Sequence, residues 1–339
     1  METGAATNLT GGQILDVMND FIRSIVRQFA GSVAARLAVT MPIRCVPGWW
    51  SGMASQGPVT FDRQIRRRFW HTLAGTPAQI RWYDGLKLEV VLGSDLSHCL
   101  YVDGEIDPNE FSFLAQVLKP GMMVIDGGAN EGVYSVFCRS KVGAQGRVLA
   151  VEPSMRERMR IERNKSLNGF EDIEILPLAL SEQVGSVVLQ IAEDEHAGHN
   201  TLGHFAASWV HAKREEIVPS ATLDGIAAAQ GLRSVDLIKL DIEGAELRAL
   251  RGAEELLRRD HPALLMEVME ETLATQGASA SQLLDYVRQF GYSVFEFSPL
   301  TGHPVPLMTP ELQLISVIAL HPEGSITPYF QEHIDPRNF

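Results

Sequence analysis

Between Val124 and Phe137 the chain reads VIDGGANEGVYSVF, which sets Asp126, Gly127, Gly128, Asn130 and Gly132 just past a short apolar run. Packing alone rarely asks for so many small and turn-forming residues beside a carboxylate, so a ligand is expected there. About twenty residues on, Glu152 closes RVLAVEPS, where a carboxylate can accept both hydroxyls of a ribose. A Glu before Pro153 also serves as an ordinary helix cap. The segment VDLIKLDIEGAELRALRGAEELL (235–257) brings Lys239, Asp241, Glu243 and Glu246 to the end of another apolar run. Asp241 and Glu243 are the candidates for a reacting centre, as general base or as ligands of a divalent metal such as Mg²⁺, which hard oxygens suit. Glu243 and Glu246 equally open a helix, where acidic residues stabilise the dipole. The stretch EDEHAGHNTLGHFAASWVHAKREE (193–216) adds His196, His199, His204 and His211. His199, beside Asn200, is the choice for a base near neutral pH. The spacing is not that of a zinc helix, and no zinc is inferred.

These groups need a scaffold that delivers them to one edge. Apolar runs at 122–126, 147–152, 173–180, 235–241, 263–268, 292–297 and 312–320 read as strands. Helix patterns fall between most of them, near 131–141, 154–168, 222–231, 244–258 and 279–290. Continuous apolar strands alternating with helices imply a mostly parallel sheet covered on both faces, with ligands at the carboxyl ends of the strands. Upstream, QIRWYDGLKLEVVLG reads as a β-hairpin around Asp84-Gly85. In DPNEFSFLAQVLKPG, Asp107 is the expected helix N-cap, Pro108 the first turn and Gly121 the residue past the end. Asp62–Trp70 is a short basic helix. Residues 14–37 carry apolar positions at three- and four-residue steps, an amphipathic helix expected to pack on the main domain or on a second copy of the chain, with attachment to a membrane surface as the alternative. The division expected is a helical extension over 1–76 and an α/β domain over 77–339. Loop 193–216, which breaks the alternation, is the expected substrate loop.

The net charge of −13 is uneven: residues 1–75 hold eight Lys/Arg against four Asp/Glu, leaving −17 on residues 76–339. An acidic body is a poor match for a phosphate backbone, so no nucleic-acid partner is expected. Three cysteines without a CxxC pair argue against a disulfide framework and fit a reducing compartment. No signal peptide or membrane span is visible, and a cytoplasmic setting is expected.

A dinucleotide fingerprint wants glycines at its first, third and sixth positions. Starting at Gly127 the chain supplies Gly127, Ala129 and Gly132; starting at Gly128 it supplies Gly128, Asn130 and Val133. The spacing Asp126-x-Gly128-x-Asn130-x-Gly132 is instead a close variant of the acidic-x-Gly-x-Gly-x-Gly loop of class I methyltransferases. Together with VEPS, LALS (178–181), ATLDGI (221–226) and IKLDIEGAE (238–246), it resembles the FkbM family of S-adenosylmethionine-dependent methyltransferases from about Tyr101 to Val268. Gly127, where many relatives carry a β-branched residue, Glu131 and the N-terminal extension depart from that pattern. The resemblance implies a Rossmann-like, seven-stranded class I domain whose last strand is antiparallel. It also implies S-adenosylmethionine as cofactor and O-methylation of a small molecule, sugar or secondary metabolite. The cofactor residues expected are Asp126, Gly128, Asn130, Gly132, Tyr134, Glu152, Ala179 and Asp241; the catalytic residues expected, from their places at the strand end and in the loop, are Asp241, Glu243 and His199. An NAD-dependent oxidoreductase and a binding protein that kept the fold without turnover are the competing expectations.

Overall fold

The computed structural model describes residues 61–298, 300–307 and 314–331. The helix expected at 14–37, and the pairing with a second copy expected of it, lie outside those residues. Helix α1 (Phe61–Thr72) is the basic helix expected from the sequence. It is tied to the body by Arg63 Nε donating to Asp103 (2.8 Å) and by Trp70 Nε1 donating to Ser97 (2.7 Å). Hairpin strands β1 (Pro77–Arg81) and β2 (Lys87–Val91) follow, then α2 (Pro108–Val117).

The next stretch runs β3 (Met123–Gly127), α3 (Val133–Val142), β4 (Arg147–Val151), α4 (Met155–Asn168) and β5 (Glu174–Leu176). A small excursion comprises β6 (Ala179–Leu180), β7 (Gly185–Ala192) and β8 (Ala212–Ala221). The alternation resumes with α5 (Leu223–Ala229), β9 (Leu237–Leu240), α6 (Glu246–Arg251), α7 (Glu254–Arg259) and β10 (Ala263–Met269). Helices α8 (Glu270–Thr275) and α9 (Ala280–Arg288) precede β11 (Ser293–Phe297), β12 (Pro304–Pro306) and β13 (Leu314–Leu320).

The main sheet has the order β12-β11-β13-β10-β9-β3-β4-β5. Strand β13 runs antiparallel to both neighbours, while β10, β9, β3, β4 and β5 are parallel. The seven strands expected are therefore present, with the short antiparallel β12 as an eighth at one edge. One face of the sheet is covered by a core containing Trp82, Phe111, Tyr134 and Phe137; the other carries Leu247, Leu256, Leu273 and Leu284. Trp82 and Phe111 meet edge to face at 4.7 Å, and Phe111 stacks on Tyr134 at 4.4 Å. Edge strand β2 is pinned to α4 by two asparagines. Asn168 Oδ1 accepts the Lys87 N–H (2.8 Å) and Asn164 Oδ1 the Glu89 N–H (2.7 Å).

Four local expectations need correction. The single strand expected at 173–180 is two, because Pro177 has no N–H to extend the ladder and β6 leaves to pair with β8. The helix expected at 244–258 breaks at Gly252, where any side chain would run into the Ser181 carbonyl. Asp107 holds the N-cap position of α2 but does not cap it. Its φ is +43°, and its carboxylate turns away to accept the Tyr134 hydroxyl at 2.8 Å. The end of loop 193–216 is not loop: Ala212 onward pairs with β7 in a three-stranded sheet that the sequence reading missed.

Several carboxylic acids are buried in this framework. Burial raises Glu110, Glu131 and Glu246 to about 7, and burial with the nearby Glu157 raises Glu152 to about 8, against 4.5 for a free glutamate. A carboxyl whose folded pKa exceeds its unfolded value favours folding at low pH, and that contribution is lost as pH rises through 7 to 8. Thermal unfolding of the ligand-free chain should therefore give a lower Tm at about pH 9 than at about pH 6. A Tm that is flat or rising over this interval would show that these acids are ionised in the fold.

Candidate functional site

The carboxyl ends of β3, β4 and β9 meet around a cleft of about 540 Å³. Its walls include Gly128, Asn130, Glu152, Leu178–Leu180, Asp241 and Glu243. The register explains the convergence: Gly127 pairs with Val151 and Leu240, so Gly128, Glu152 and Asp241 each stand one residue past their strand. The loop after β3 is held by its own chemistry. Gly128 has φ +71°, and a Cβ there would collide with the Asp241 carbonyl oxygen. Asn130 takes φ +49°, a conformation asparagine tolerates, and its N–H donates to Glu152 Oε2 at 3.0 Å. Glu152 Oε1 accepts the Ser154 N–H at 2.8 Å.

Buried acceptor atoms at this end of the cleft have no partner among the described residues: Asn130 Oδ1 and Glu157 Oε2. Leaving such atoms unpaired costs about 1–3 kcal/mol each. A ligand carrying hydroxyl or ammonium donors would satisfy them, and Glu152 keeps free lone pairs on both oxygens for a diol. The lining thus fits a ribose-bearing cofactor.

Beneath the loop lies an ion network. Asp126, fully buried, accepts the Ser135 hydroxyl at 2.6 Å, and its Oδ1 is 3.7 Å from Lys239 Nζ, its register partner on β9. Lys239 also reaches Asp241 Oδ2 (3.3 Å) and the Gly128 carbonyl (3.4 Å), and its ammonium sits 4.5 Å over the Tyr134 ring. Burial would lower its pKa; Asp241 and Asp126 outweigh that and leave it raised, so the ammonium stays charged.

The turn after β9 carries the catalytic candidates. Glu243 has φ +52°, a strained conformation for a long side chain, and Glu246 braces the turn by accepting the Ile242 (3.0 Å) and Gly244 (3.3 Å) N–H groups. His199 Nδ1 lies 3.0 Å from Glu243 Oε1. That hydrogen bond raises the imidazole pKa against the opposing effect of burial, while burial raises Glu243 against the pull of His199. The direction that matters is the upward shift of His199, set by the short contact itself. Residues Asp194–His199 form a turn that roofs the cleft with Ala197 and Gly198. It is held by Asp194 to Arg156 (2.9 Å) and Lys213 (2.7 Å), and by His196 to Asp95 (2.8 Å). Asp241, Glu243 and Glu267 bring carboxylate oxygens within 4.8 Å of one another. Lys239 and His199 already engage Asp241 and Glu243, and no metal is assigned to the group.

Of the expected cofactor residues, Gly128, Asn130, Glu152, Ala179 and Asp241 line the cleft. Asp126, Gly132 and Tyr134 do not. Asp126 is beneath the loop, Gly132 starts α3 with φ +81° packed on Ile161, and Tyr134 faces a separate cavity of about 310 Å³ with Asp107, Glu110 and Glu267. The expected catalytic residues Asp241, Glu243 and His199 are brought together. The sequence reading missed Glu157 and Asp95, which no motif marks, and named Lys239 at the strand end without a role, although its position opposite Asp126 follows from aligning the two strands.

This strand order, with the reversed β13 inserted between β10 and β11 and a glycine loop after β3, defines a class I methyltransferase fold. Residues 126–294 match the methyltransferase FkbM domain model. The chain belongs to the FkbM methyltransferase family. It is 28% identical over 186 residues to methyltransferase sdnD of Sordaria araneosa, covering 47% of this chain and 70% of that protein. It is 25% identical over 236 residues to AMB antimetabolite synthetase AmbE of Pseudomonas aeruginosa, covering 60% of this chain but only 11% of that much longer protein. A solved FkbM methyltransferase from Methylobacillus flagellatus overlaps 79% of this chain and 57% of its own, at 14% identity and a TM-score of 0.38. Among the described residues no helix is long and apolar enough to cross a membrane.

The buried cation supports one expectation. Lys239→Met leaves Asp126 buried without its counter-charge and should destabilise the chain by about 3–5 kcal/mol in urea unfolding. A loss under about 1 kcal/mol would show that Asp126 is protonated and indifferent to Lys239.

Proposed function

We propose that this chain transfers the methyl group of S-adenosylmethionine to a hydroxyl oxygen of a small molecule. The observation that carries this reading is Glu243. It lines both the cofactor cleft and a second chamber, and it holds His199 at their boundary. Bound S-adenosylmethionine supplies a methyl group already activated by its sulfonium. The chain's residues then hold, align and deprotonate. Glu152 would take the ribose hydroxyls, and Gly128 and Asn130, on the same cleft wall, would face the rest of the cofactor. Asp241 offers a carboxylate to positive charge while Lys239 fixes its orientation. With Nδ1–H donated to Glu243, His199 has Nε2 left as the proton acceptor, 3.8 Å from Asp95 Oδ2, and Glu243 and Asp95 both stabilise the imidazolium that results. Alignment contributes the larger share of acceleration and a positioned base about 10²–10⁴-fold. A small acceptor, rather than nucleic acid, fits the −17 carried by residues 76–339.

Calorimetric titration tests the cofactor directly: S-adenosylmethionine and its demethylated product should bind and NAD should not. Glu152→Ala should weaken cofactor binding by about tenfold or more, since it removes a buried hydrogen-bonding pair. Asp241→Ala should lower kcat more than it weakens cofactor affinity, and unchanged turnover would remove Asp241 from the mechanism. The pH profile separates His199 from other bases. Because Glu243 raises the His199 pKa and only neutral imidazole accepts a proton, kcat should fall as pH drops through that raised value. Glu243→Gln should move the fall to lower pH. A limb that does not move would assign the base elsewhere.

A further inference from the structure

We infer that the acceptor is a largely apolar, ring-bearing alcohol or phenol seated against Trp209, in the chamber beside His199. This rests on the methyl-transfer reading above and names its substrate class. The chamber spans about 450 Å³, space open to solvent included, and its walls include Phe205, Trp209, Val210, Met269 and the polar His204, with His199 and Glu243 at the end nearest the cofactor cleft. The protons of the two hydroxyls on its wall are already given to backbone carbonyls: Thr201 Oγ1 donates to Glu243 O (3.1 Å) and Thr272 Oγ1 to Met269 O (3.0 Å). A sugar would enter with a hydroxyl on nearly every carbon, and those facing the apolar walls would lose water without gaining partners, at about 1–3 kcal/mol each. An acceptor with one hydroxyl loses nothing of the kind, because that hydroxyl meets His199.

Trp209 sets where the ring lies. Its side chain is 54% exposed, unusual for so large an aromatic, yet it is fixed edge-on against His196 (4.6 Å) and His199 (5.5 Å). A lone exposed apolar residue needs no explanation on its own. One that borders a chamber and touches the base offers a flat surface on which a ring can cover itself while its hydroxyl faces Nε2. The other cavity next to Asp241, lined by Asp107, Glu110 and Glu267, has the opposite character and would suit an amine or a polyol. The two cavities thus make opposite demands on the acceptor, and a binding experiment can tell them apart.

The test is titration of the full chain with 2-naphthol, glucose and glucosamine, in the presence of S-adenosylhomocysteine. Tryptophan emission and calorimetry are both read. Naphthol should quench emission saturably and bind more tightly than either sugar. Trp209→Phe should abolish most of the quenching while keeping the affinity, and Trp209→Ala should raise Kd about tenfold. Because Trp209 is exposed, neither variant threatens the fold. Naphthol affinity unaffected by Trp209→Ala, or tighter binding of glucosamine or glucose, would overturn the assignment and point to the acidic cavity. The same calorimetry reports whether S-adenosylhomocysteine binds at all. Naphthol quenching without cofactor binding would sink methyl transfer yet leave the chamber's preference standing.

Discussion

One buried ammonium organises this molecule. Lys239 reaches Asp126 across the β3–β9 ladder, Asp241 on the turn beyond its own strand, the Gly128 carbonyl in the glycine loop and the ring of Tyr134 on α3. Four segments that must agree in position for the cleft to exist are thus referred to a single charge. Such an arrangement demands completeness. In a low-dielectric interior the ion pair compensates its own desolvation only while every partner is present. The glycine at 128 belongs to the same requirement, since the two loops cross too closely there for any side chain.

Much of this was legible in the sequence, for identifiable reasons. Long apolar runs between helix patterns gave the parallel sheet, because strands buried on both faces leave no polar residues to confuse the period. Strand ends pointed to the cleft, because ligands in such sheets sit there, and Glu152, Asp241 and Glu243, which line it, were picked out on that ground. What escaped depended on distance in sequence. Whether Asp126 faces the ligand or supports the floor depends on Lys239, more than a hundred residues away. Asp107 looked like a helix cap, and the partner that draws it off, Tyr134, lies on another helix. Strand β8 carries charged residues over Lys213–Glu216, so neither an apolar run nor a clean alternation announced it, and the apolar β7 was left without a visible partner.

Gly132 and Asn164 show the same limit from another side. Gly132, expected at the cofactor, opens α3 against Ile161, and Asn164, for which nothing was expected, ties an edge strand to α4. Asn164 accepts from Glu89 on the hairpin and donates to the Glu131 carbonyl in the loop, so it joins the glycine loop to β2. A motif records which residues a site needs without separating those that touch a ligand from those that hold the touching residues still.

The roof over the cleft belongs to two parts of the chain at once. The turn Asp194–His199 rises from the small sheet, yet His196 is fastened to Asp95, in the segment that follows the hairpin and precedes residue 126, where the match to the family domain begins. The boundary that sequence comparison draws and the boundary of the enclosed site therefore differ. Relatives that share the domain while differing upstream would inherit the same floor under a differently fastened ceiling, which is one way a common chemistry can be offered to unlike acceptors.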